Sequence, residues 1–112
     1  MSDQCEWIDD WERGVEDWEA DVNRLYLSHP KAWMSEGKRR QLAEDLANGK
    51  VVWDEGVPVM VEVESEYLTG NCSAVRRYIL SSLGYRAIGH SDPRPRGLPR
   101  NRVISRLVRI EQ

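Results

Sequence analysis

The sequence predicts a single α+β domain spanning residues 1–112, and three observations point to it. Apolar residues recur at helical spacing in the N-terminal quarter. Valines alternate with other residue types across 57–63, as they do in a strand. Glycines and prolines punctuate the remainder at intervals that suit short elements. With 112 residues, 40% of them apolar, the chain has material for one modest core.

The first element is a long amphipathic helix over 3–28. Ile8, Trp11, Val15, Trp18, Val22 and Leu25 follow one another at steps of three or four and form an apolar seam. Ser2 or Asp3 can cap its start. Pro30 ends it, because the residue before a proline is pushed out of the α region. Gly14 falls on the side of Trp7, Trp11 and Trp18, where it should leave a notch bordered by indoles. A second helix, about 35–48, starts at the N-cap Ser35, buries Leu42, Ala43 and Leu46, and stops at Gly49. Lys38, Arg39 and Arg40 make a basic patch on it.

Residues 50–53 and Val57–Val63 then form a hairpin around the turn signal Asp54-Glu55-Gly56. Pro58 marks a sheet edge near the start of the second strand. A third helix over about 72–83 is capped by Asn71, carries Val75, Ile79 and Leu83, and ends at Gly84. Tyr85–His90 and Arg102–Ile110 read as strands, separated by the proline-rich segment 91–101. The expected order is α-α-β-β-α-β-β, a small antiparallel sheet with helices on one side.

Charge is sorted along this order. Residues 1–30 carry nine acids against Arg13 and Arg24, a balance of −7. Residues 71–112 carry nine arginines against Asp92 and Glu111, or +7. The net charge of −3 therefore hides a strong dipole. Such asymmetry implies a charged partner, or one half folding onto the other.

Acids line the first helix in two rows. Asp9, Glu12, Glu16 and Glu19 form one, and Asp10, Asp17 and Asp21 form another beside it. Like charges four apart cost a few tenths of a kcal/mol each, so this face is not tuned for helix stability alone. It can imitate the charge row of a nucleic acid, with Asp9, Glu12, Glu16, Asp17 and Glu19 as the partner-binding acids. Trp7 and Trp33 are the candidate aromatic anchors, whereas Trp11 and Trp18 belong to the core.

Arg76 and Arg77 on the third helix, with Arg94, Arg96, Arg100 and Arg102 beyond it, form a candidate basic patch. Helix, strand, long basic loop and strand is also the layout of winged-helix DNA-binding proteins, which the chain resembles in topology only. That resemblance implies a helix in the major groove and a wing on the phosphates. The helix that should precede them is replaced by the strand at 57–64, and the net charge is negative rather than basic.

Catalytic and metal signals are weak. His29, His90, Cys5 and Cys72 lie at no spacing typical of a zinc site. His90-Ser91-Asp92 are adjacent and cannot converge as a triad does. No phosphate-binding glycine loop is present, and no cofactor is expected. No apolar run approaches the roughly 18 residues that cross a bilayer, and the acidic start does not match a secretory signal. A cytoplasmic location without membrane contact is therefore expected, with Cys5 and Cys72 as free thiols.

The sequence thus favours a non-enzymatic protein-binding module, directed at a protein partner with a basic nucleic-acid-binding surface. In size and charge sorting the chain resembles the small inhibitors that phages and other mobile elements aim at host nucleases, such as anti-CRISPR and anti-restriction proteins. No shared motif carries that likeness. The alternatives are direct nucleic-acid binding by a winged-helix-like regulator, and an oligomerising adaptor whose helical seam pairs between chains.

Overall fold

The computed structural model describes residues 3–29, 33–66, 70–90 and 102–110, with side chains apart from those of residues 3–7, 70–73 and 90. A 3-10 helix, Asp3–Glu12, leads into α1, Val15–Ser28, and α2 follows at Glu36–Ala47. The hairpin strands are β1, Lys50–Asp54, and β2, Val57–Glu66. Then come α3, Gly70–Ser82, β3, Tyr85–His90, and β4, Arg102–Arg109. All strand pairings are antiparallel, and the sheet order is β1-β2-β4-β3. The α+β class and the element order are those expected.

The long N-terminal helical segment is divided at Arg13-Gly14. Gly14 is extended, at φ −80° and ψ 170°, and its carbonyl accepts from the Trp18 N–H at 3.2 Å to start α1. Residues before it wind three to a turn, which keeps Ile8 and Trp11 on one side. The seam survives the break because the Trp11 and Trp18 rings meet at 5.0 Å. The expected notch at Gly14 does not form: a Cβ there would point into open space. The close approach is at Gly49 instead, where a Cβ would come within 2.9 Å of the Trp11 ring and 3.1 Å of Val61.

Ser35 caps α2 as expected, accepting from the Lys38 N–H at 3.2 Å. The hairpin turn places Glu55 at φ 51° and Gly56 at φ 80°, the two left-handed residues of a tight two-residue loop. Between the pairs Val52–Met60 and Trp53–Pro58, β2 carries one extra residue, Val59. β2 meets β4 only from Val61 onward, so Pro58 lies where no β4 residue is paired with it. α3 begins at Gly70, which puts Asn71 inside the helix rather than at its cap. Gly84, at φ 96°, ends the helix after Leu83.

The helices lie on the sheet face that carries Val61, Val63 and Leu107. There Trp11, Trp18, Val22, Leu25, Leu42, Leu46, Val75 and Ile79 join them in one core. The seam is therefore buried within its own chain and is not free to pair with another.

Candidate functional site

The acids of the N-terminal segment separate into two groups. Asp10 and Asp21 turn inward. The Tyr85 hydroxyl donates to Asp10 Oδ2 at 2.8 Å. Asp21 accepts from Arg13 at 2.7 Å and from Arg24 at 3.3 Å. Partial burial pushes the Asp21 carboxyl up, but those two guanidinium hydrogen bonds outweigh it and hold the group below the ordinary aspartate value. Arg13 also stacks over the Trp18 ring at 4.2 Å, which anchors the clamp to the core.

Asp9, Glu12, Glu16 and Asp17 form the second group. All four are exposed, and none has an ion-pair partner among the described residues. Asp9 and Glu12 stand one turn apart on a helix of three residues per turn, so their side chains eclipse. Glu16 and Asp17 occupy the first turn of α1, where the helix dipole favours acids by about 0.3–1 kcal/mol each. Two short acidic runs thus flank the break at Gly14, one on each helix. Glu19 does not belong to this free set: it pairs with Arg40 at 3.3 Å.

Trp33 is 69% exposed but sits just before α2, at the far end of α1 from Glu16 and Asp17. The 14 residues of α1 rise about 20 Å, so the structure does not join Trp33 to the acids in one patch. The Trp7 side chain lies outside the described residues.

The three cations of the expected basic patch on α2 are all engaged within the chain, two of them by acids. Lys38 pairs with Glu66 at 2.6 Å. Arg39 donates to Asn23 at 2.8 Å and to the Met34 carbonyl at 2.7 Å. Arg40 bridges Glu19 and Glu44.

The C-terminal basic patch is also dispersed among the described residues. Arg77 is exposed, but Arg76 is only 1% exposed and pairs with Glu66 at 3.3 Å. Arg102 donates to Asp45 at 2.7 Å and to Glu64 at 2.9 Å. Arg94, Arg96 and Arg100 fall outside the described residues. The strand β2 occupies the place where a winged-helix protein has a helix.

Sequence reasoning did not find the Asp45–Arg102 pair. Asp45 is buried and also accepts from Gln41 at 2.9 Å. Burial pushes its carboxyl above the usual aspartate value, and the bonds from Arg102 and Gln41 offset this only in part. A cavity of about 20 Å³, room for one water, lies nearby between Leu42, Leu46, Ser65, Arg76 and Ser105. The signal was present in α2, where Asp45 stands three residues after Leu42 and beside Leu46 on the apolar stripe.

No protein-family model, curated protein or solved structure matches the chain. What remains is the site itself. Among the described residues, no three His, Cys, Asp or Glu side chains gather as metal ligands would. No described helix is long and apolar enough to cross a membrane. Asp9, Glu12, Glu16 and Asp17 remain as four exposed carboxylates without an ion-pair partner among the described residues, all within nine positions of chain.

Proposed function

We propose that this chain is a non-enzymatic protein-binding module whose ridge of Asp9, Glu12, Glu16 and Asp17 occupies a basic nucleic-acid-binding surface on a partner protein. One observation carries the reading. The acids elsewhere on α1 and on α2 and β2 are largely tied to the chain's own cations, whereas these four face solvent with no ion-pair partner among the described residues. A run of exposed carboxylates presents a basic groove with the charge, though not the chemistry, of a phosphate backbone. Acting there, the chain would block a nucleic-acid-handling complex, in the manner of anti-restriction or anti-CRISPR inhibitors.

The test is competition. The purified chain is titrated into complexes of labelled duplex DNA with a panel of restriction and CRISPR effector complexes. Displacement of DNA that weakens with salt, and is lost in Glu12→Lys/Glu16→Lys/Asp17→Lys, is the expected result. A folded triple variant that displaces DNA as well as the parent would overturn the reading.

A further inference from the structure

β1 is an outer strand of the sheet, and the side away from β2 meets no strand among the described residues. Its own run is regular, because the extra residue of the hairpin, Val59, sits on β2. Short strands bearing lysine usually deter edge-to-edge pairing. Here the charge has a complement at the right distance. Lys50 and Asp54 stand symmetrically about Val52, and neither has an ion-pair partner among the described residues.

A two-fold axis through Val52 would set Lys50 of each copy opposite Asp54 of the other. Val51 would oppose Trp53, and Val52 would oppose itself. Opposite residues of an antiparallel pair share a face, and charge pairs and aromatic–β-branched pairs both stabilise such contacts. The same register gives the otherwise unexplained Trp53, 52% exposed, an apolar neighbour. The other sheet edge, β3, lacks this symmetry. Its register against β4 shifts between Ala87 and Gly89, and it carries Arg86 with no acid on the strand to oppose it.

We propose that the β1 edge is a homodimer surface on which two copies pair antiparallel about Val52 into one continuous sheet. This does not depend on the acidic ridge having a partner, since the test uses the purified chain alone.

Sedimentation equilibrium over a concentration series should show the mass rising toward twice that of one chain. Asp54→Lys sets lysine against lysine at both ends and should weaken association at least tenfold. Lys50→Asp sets acid against acid with the same effect. An equimolar mixture of the two variants restores opposite charges at both ends and should associate again. Circular dichroism checks that each variant is folded. In a chain with Cys5→Ser and Cys72→Ser, Val52→Cys should form a symmetric disulfide on mild oxidation, because only that position faces itself. A monomeric parent chain overturns the proposal. So does a dimer indifferent to Asp54→Lys, or a folded mixture that fails to associate.

Discussion

The Tyr85 hydroxyl donates to the Asp10 carboxylate at 2.8 Å, tying the first residue of β3 to the N-terminal 3-10 helix across 75 positions of chain. The Tyr85 ring also meets Trp11 edge-on at 5.2 Å. This anchor orients the segment that carries Asp9 and Glu12: the neighbour of the two exposed acids is the one held from within.

Tyr85→Phe removes the bond and keeps the ring. It should destabilise the fold by about 1–2 kcal/mol, read from urea unfolding. Burial, then the Asp10 carboxylate, raise the Tyr85 hydroxyl above its ordinary value near 10. The folded chain therefore holds this proton where the unfolded chain has released it. The contribution is complete below about pH 10 and declines above it. In spectrophotometric titration Tyr85 should ionise after tyrosines of ordinary pKa, and Tyr85→Phe should remove that late step.

Asp45 and Glu66 should bend the acid limb of stability in opposite directions. Asp45 is raised by burial above its ordinary 3.8, so its contribution is full below 3.8 and lost as pH rises through the folded value. Glu66 is lowered, first by the Lys38 hydrogen bond, from an ordinary 4.5. Its contribution is full above 4.5 and lost as pH falls through the depressed value. Asp45→Asn should therefore steepen the acid loss relative to the parent, and Glu66→Gln should flatten it. Urea midpoints measured between pH 2 and pH 7 check both slopes.

Two glycines should respond oppositely to a side chain. Gly49→Ala drives a methyl into the Trp11 ring and Val61, and should cost about 1–3 kcal/mol. Gly14→Ser adds a hydroxyl acceptor at an uncapped N-terminus with open space around it. It should contribute a few tenths of a kcal/mol. Thermal unfolding of the two variants should shift in opposite senses.

Reversal of the ridge charges should leave the fold in place. Glu16→Lys and Asp17→Lys forfeit a favourable dipole interaction, so a loss of about 1–2 kcal/mol is expected for the pair. Far-UV circular dichroism should be unchanged. A larger loss would mean that the exposed acids are internally engaged.

The elements were legible because local signals agreed with tertiary demands. Ser35 is a cap wherever the chain goes next, and Asp54-Glu55-Gly56 turns the hairpin with its own backbone preferences. The break at Gly14 was not legible. A three-residue and a 3.6-residue turn place Ile8 and Trp11 alike, and a mid-helix glycine costs only about 1 kcal/mol. Which acids stay free was equally hidden. Asp10, Asp17 and Asp21 read as one row, yet Tyr85 and Arg13 reach two of them from outside α1. Arg76 could have been placed inward. It precedes Ile79 by three residues and Leu80 by four, on the buried stripe of α3.

Arg102 holds the first residue of β4 from two sides, to Asp45 on α2 and Glu64 on β2. His90, the last residue of β3, pairs in register with Ser105 on the same strand. Both ends of the 11-residue segment 91–101 are thus fixed by contacts the segment does not itself supply. The β3–β4 pairing is therefore clamped where β4 begins, by α2 on one side and by β2 on the other, so the sheet and the helical layer cannot part at that end without breaking both ion pairs.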